Sequence, residues 1–153
     1  MRSYGVVQSR FWAWVKEQGL SREARTMALY LLTGPHTTGI GCFRLPVGYI
    51  VEDIDSDAAT VRATLAELAA IGFLKYDAAT GWVWIVGFLD HNPIANPNVA
   101  KSLVSYVRAV PKRLPFYDAF LDALERRAGR FPKPSRCAEP WTAFVMLRVL
   151  QEY

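Results

Sequence analysis

Three sets of side chains in this 153-residue chain have types and spacing that bear on chemistry. Arg126, Arg127, Arg130, Lys133 and Arg136 follow one another with no acid between them. Such a run is either a contact for a polyanion or a solvated loop flank. Thr60, Arg62 and Thr64 lie close together in a helical stretch, and their hydroxyls and guanidinium can bond base edges or phosphates. Glu52, Asp53, Asp55 and Asp57 have the alternation of a calcium loop, but the Gly and closing Glu required at fixed offsets are missing. Asp55 and Asp57 are better explained as charges beside a helix N-terminus.

Catalytic constellations are not found. There is no phosphate-binding glycine loop; Gly39-Ile40-Gly41 lacks the lysine and a firm strand before it. His36 has no carboxylate or nucleophile close in sequence, and His91 follows Asp90 directly, an arrangement that turns the two side chains apart in most conformations. Cys42 and Cys137 share no short ligand spacing with each other or with the histidines, so they read as two free thiols, Cys42 buried in a strand. The expectation is a protein that is not an enzyme and that needs neither metal nor cofactor.

Composition sets the frame for these residues. With 52% apolar and 21% charged residues, and with 5 Trp, 7 Tyr and 8 Phe, the chain can build a core. Its apolar runs are too short to span a bilayer or to serve as a signal peptide, so a soluble, intracellular protein is expected. The net charge is +4, but residues 51–100 carry two basic and seven acidic groups, whereas residues 101–153 carry ten basic and five acidic.

The elements that must position the candidate residues can be read from caps and periodicity. Ser9 to Gln18 suits a short helix. Ser21 caps a second, with Ala24, Met27, Ala28, Leu31 and Leu32 on its buried face, and Gly34-Pro35 stops it. Cys42 to Leu45 is a brief strand, and Pro46 opens a short helix ending near Ile54. Ser56 or Asp57 then caps a helix to about Ile71, with Val61, Leu65 and Leu68 as its buried stripe. Two aromatic, β-branched runs around Asp77–Gly81 form a hairpin. Helix, turn, helix and hairpin in that order predict a mainly α fold with a small hairpin: a winged helix-turn-helix over residues 1–97. A helical extension over residues 98–153 follows, with helices from Val99 to about Ala109 and from Phe116 to Ala128. A basic, Pro-rich linker at about 129–140 precedes a last helix near Trp141–Leu150.

In that fold the Ser56–Ile71 helix would enter the major groove. Thr60, Arg62 and Thr64 would face DNA, and alanines 59, 63, 66 and 70 would permit close approach. Charge opposes this, because Glu52 through Glu67 holds five acids and one Arg. Arg44, Lys75 and the late basic cluster would then have to hold the phosphates. Otherwise the module contacts protein through its alanine face, as a dimer or with a partner.

The wording of the chain resembles a known family. Leu29-Tyr30-Leu31-Leu32-Thr33-Gly34-Pro35-His36-Thr37, Gly41-Cys42-Phe43-Arg44-Leu45-Pro46, Val61–Leu68, Ile71–Asp77 and Thr80–Ile85 look like the N-terminal winged helix of phage and prophage replication-initiation (replisome organiser) proteins. These are related in architecture to the DnaD and DnaT primosome proteins. Phe88–Pro93 and Asn96–Lys101 are the most distinctive matches, and the resemblance spans about residues 7–105. It implies double-stranded DNA as partner, origin binding, recruitment of a helicase or its loader, no catalysis, and the cytoplasm of a bacterial host. Within it the Asn-Pro segment is a scaffold; alternatively Asn96, Asn98 and Lys101 touch the DNA backbone. A small transcriptional regulator of the same fold is a further reading.

Overall fold

Two of the helices owe their ends to residues legible in the sequence. Ser21 accepts a hydrogen bond from the Ala24 N–H at the start of one, and Asp57 accepts from the Thr60 N–H at the start of the other. The second helix closes at Gly72, whose φ of +75° lets Gly72 N–H bond Ala69 and Phe73 N–H bond Leu68. The computed structural model describes residues 5–94 and 97–128. In chain order it contains α1 (Phe11–Glu17), α2 (Arg22–Thr33), β1 (Cys42–Arg44), α3 (Val47–Asp53), α4 (Ala58–Ala70), β2 (Leu74–Asp77), β3 (Trp82–Ile85), α5 (Phe88–His91), α6 (Pro97–Ala109) and α7 (Tyr117–Ala128). The protein is thus mainly helical, with one small antiparallel sheet of order β1-β3-β2. The expected linker and last helix lie outside the described residues.

The sheet divides two apolar clusters. Register pairs Phe43, Val83 and Tyr76 across the three strands, and Cys42, Trp84 and Lys75 in the neighbouring row. Because side chains alternate along a strand, these rows face opposite ways. Phe43, Val83, Ile85 and Leu74 join Met27, Leu31, Ile50, Val61, Leu65 and Leu68 in the larger core, formed with α1 to α4. Cys42 and Trp84, with Ile40, pack against Leu103, Val107, Phe116, Phe120 and Leu124 of the C-terminal helices. Trp84 sits edge-on to Phe120, with ring centroids 5.9 Å apart. The C-terminal helices therefore cover the sheet face that the first four helices leave open.

Some local expectations need correction. The first helix, expected from Ser9 to Gln18, is α1 from Phe11 to Glu17; it has no side-chain cap, and Trp12 stands 60% exposed. The stretch between α2 and β1 contains two inward residues. Thr37 is buried with its hydroxyl donating to the Leu31 carbonyl, and Ile40 lies in the second core. The short helix α5 carried no sequence signal that separated it from the Asn-Pro segment behind it. No helix of the described residues is long and apolar enough to cross a membrane.

Candidate nucleic-acid interface

α4 is held by its neighbours in a way that decides which of its side chains are available. Val61, Leu65 and Leu68 face the core. The flank expected to read bases is engaged internally. Thr60 donates its hydroxyl to Asp57, 2.6 Å away, and is partly buried. Thr64 is only 4% exposed and bonds back to the Thr60 carbonyl at 2.7 Å. Thr64 therefore does not face outward as expected: it lies beside the Val61, Leu65 and Leu68 stripe, about 40° from Leu68 on the helix, and the buried face is wide enough to take it in. One turn on, Glu67 accepts from both the N–H and the hydroxyl of Ser21, at 2.8 and 2.6 Å, and so pins α4 to the start of α2.

What remains on the solvent side of α4 is Ala59, Arg62, Ala63, Ala66 and Ala70. Arg62 is exposed, with one contact of 3.4 Å to the Ala58 carbonyl. It lies near Tyr76 of β2: burial raises the Tyr76 phenol above its usual value, and the Arg62 cation works against that rise. The turn before α4 is acidic, with Glu52, Asp53, Asp55 and Asp57 all exposed. Hydrogen bonds from Thr60 hold Asp57 below the usual carboxylate range, and those from Ser21 do the same for Glu67.

Arg44 and Lys75 are exposed on the face of the sheet that carries Trp82 and Trp84, opposite to Tyr76. Arg44 Nε donates to the Thr80 carbonyl at 3.2 Å, which steadies the hairpin tip. The tip has no basic side chain, and Asp77 accepts the Thr80 hydroxyl there. The structure thus sets Arg62 beside one face of the sheet and Arg44 with Lys75 on the other, flanking the hairpin.

The late basic cluster is only partly described. Arg126 is exposed on α7. Arg127 is not the unengaged phosphate ligand expected, because its guanidinium grips both carboxylate oxygens of Asp90 and ties α7 to α5. That pairing raises its pKa further. Arg130, Lys133 and Arg136 lie outside the described residues, as do Cys137 and Asn96. Asn98 and Lys101 belong to α6, but their side chains are not among those described.

No protein-family model matches the chain, and no curated protein or solved structure does either.

Sequence reasoning missed one polar cluster. Asp53 Oδ2 accepts the Tyr30 hydroxyl and lies 3.2 Å from His36 Nε2, while the His36 ring stacks on Tyr49 with centroids 5.3 Å apart. His36 therefore does have a carboxylate, supplied by α3 and not by its own stretch. Burial and the bond to Asp53 raise the Tyr30 phenol well above its ordinary value, which opposes any role as a phenolate. The arrangement fits a clamp that joins α2, the loop after it and α3. His91 likewise accepts from Arg10 at 2.9 Å. Among the described residues no three His, Cys, Asp or Glu side chains gather as a metal site.

Proposed function

We propose that the chain is a non-enzymatic double-stranded-DNA-binding module of the winged helix-turn-helix type. The observation that carries this reading is the order α2, β1, α3, α4, β2, β3, with β1 completing a sheet of order β1-β3-β2 around the hairpin. In this reading α4 is the recognition helix, and its alanine face with a single outward arginine allows close approach to a groove floor. Arg62 is the base-edge or phosphate ligand on α4, and Thr60 contributes at most its remaining lone pairs. Arg44 and Lys75 hold phosphates on the hairpin side, and Arg126 adds a more distant positive charge. A place in phage or prophage replication initiation, with recruitment of a helicase or loader, is supported by the sequence resemblance alone.

Duplex binding as a function of salt tests the proposal. Three phosphate contacts from Arg44, Arg62 and Lys75 give a log–log slope of about −2.7, or roughly a 40-fold loss of affinity between 50 and 200 mM salt. Arg62→Ala should weaken binding by about 1–3 kcal/mol if it reads a base, or flatten the slope by about 1 if it holds a phosphate. Thr64→Val and Arg127→Met should leave affinity unchanged. A salt-independent affinity, or none at low salt, refutes the reading.

A second reading is favoured by the same α4 surface. Four exposed alanines beside an acidic turn suit a protein partner or a second copy better than a polyanion. A dimer in sedimentation that does not shift duplex DNA supports this alternative.

A further inference from the structure

The last turn of α7 rests on α5, where Arg127 holds Asp90; the next residue, His91, accepts from Arg10 at the foot of α1. α5 thus brings the end of α7 close to the start of α1. Val86, 39% exposed, lies just before α5 and shares a recess with Arg126 and Arg127. Its N–H donates to the Phe73 carbonyl at 2.9 Å, so the two residues stand opposite each other at the base of the hairpin. The Phe73 ring in turn meets Trp14 of α1, with centroids 5.4 Å apart, and both are only partly buried. Val86, Phe73 and Trp14 therefore make an apolar strip on the surface, leading from the end of α7 to α1. Joined apolar side chains left open to water mark a contact.

Beyond α7 the sequence runs through twelve residues, 129–140, three of them proline, to residues 141–150, of which eight are apolar. Ala143, Met146, Leu147 and Leu150 have the i, i+3, i+4, i+7 spacing of a helix with one apolar face. A helix of ten residues is marginal in water by itself and needs a surface to pack on. We propose that residues 141–150 fold back and dock on the strip of Val86, Phe73 and Trp14, with Ala143, Met146, Leu147 and Leu150 toward it. Twelve residues reach up to about 40 Å, which is ample from a starting point beside Val86. The tether also selects the occupant: it holds the segment at an effective concentration on the order of millimolar, which a second copy in dilute solution does not match. The contact uses no residue of α4 and holds whether or not the chain binds DNA.

Amide hydrogen exchange on the full chain tests this. The amides of residues 143–150 should exchange about tenfold or more slowly than those of an unstructured peptide. Val86→Asp, a change at an exposed side chain, should return them to the unstructured rate. Tyr49→Ser, at an exposed side chain outside the strip, should leave them protected. Thermal midpoints show that each variant keeps its fold. A reciprocal measurement needs no change in the strip: Leu147→Asp should raise hydroxyl-radical oxidation of Trp14 and Phe73 severalfold, read by peptide mass spectrometry. The proposal is overturned if residues 143–150 are unprotected in the native chain, or if their protection survives Val86→Asp. It is equally overturned if protection fades on dilution as a dimer dissociates, which would make a second copy the occupant, or if Leu147→Asp leaves Trp14 and Phe73 oxidation unchanged.

Discussion

Replacing Gly41 by alanine tests the junction on which both cores depend. Gly41 has φ of +66°, and a Cβ built there falls 2.4 Å from Cβ and Cγ of Phe88. Its carbonyl accepts from the Ile85 N–H at 2.8 Å and its N–H donates to the Thr38 carbonyl at 3.1 Å, so the backbone has little room to retreat. Phe88 is 2% exposed and cannot swing into solvent without leaving the core. A left-handed conformation costs an L-residue about 1–2 kcal/mol, and forcing a methyl into a packed site adds about 1–3. The expected loss is therefore about 2–5 kcal/mol, a large share of the 5–15 kcal/mol typical of a domain. Urea unfolding with linear extrapolation measures it, and a thermal midpoint lowered by on the order of 10 °C should accompany it. Gly48→Ala in α3 is the control: a Cβ there meets nothing within 4 Å, and stability should hold or rise by up to about 1 kcal/mol. A loss below about 1 kcal/mol for Gly41→Ala, with unchanged m-value, would refute the reasoning.

Three further outcomes follow from the same structure. Glu67 is held below its ordinary value of 4.5 by Ser21, so its contribution is complete above that value and fades as the pH falls through the lowered one. Glu67→Gln should accordingly flatten the acid limb of the thermal-midpoint profile below about pH 4.5 and lower the midpoint at neutral pH. Burial pushes the Cys42 thiol up to about 12; peptide mapping after iodoacetamide treatment at pH 8 should find it unmodified in the native chain and alkylated in denaturant. Phe120→Ala removes a side chain 1% exposed that packs on Trp84, and should cost about 3–5 kcal/mol by the same urea assay.

How far the sequence could be read depended on the range of the forces involved. Ser21, Asp57 and Gly72 act within a few residues, and the helices they bound were legible to within a residue or two. The hairpin was equally plain, since Leu74–Asp77 and Trp82–Ile85 carry the β-branched and aromatic residues that suit a half-buried sheet. Cys42 was expected in a buried strand, and it is. What sequence could not provide was the second cluster, in which Ile40 and Trp84 meet Phe120, because nothing local marks which face of a short sheet a later helix will cover. The Asp53–His36 approach and the Arg127–Asp90 pair failed to show for the same reason: each joins side chains 17 or 37 residues apart through tertiary packing. Thr64 was misjudged because the spacing of Val61, Leu65 and Leu68 fixes where the buried stripe runs but not how wide a face the neighbouring elements cover.

The middle strand has a consequence for how this protein can change. Trp84 looks toward one apolar layer while Val83 and Ile85 look toward the other. Sliding β3 by a single position would post a tryptophan where a valine belongs and a valine where a tryptophan belongs, on both sides at once. Between β2 and β3 an inserted residue has to be taken up in the four residues from Ala78 to Gly81 if the pairing is to be kept. Within that tip Gly81, at φ +72° and where a Cβ would lie 3.1 Å from Pro46, and Thr80, bonded to Arg44 and Asp77, are fixed as well, which leaves Ala78 and Ala79 as the exposed positions where the strands beneath impose least.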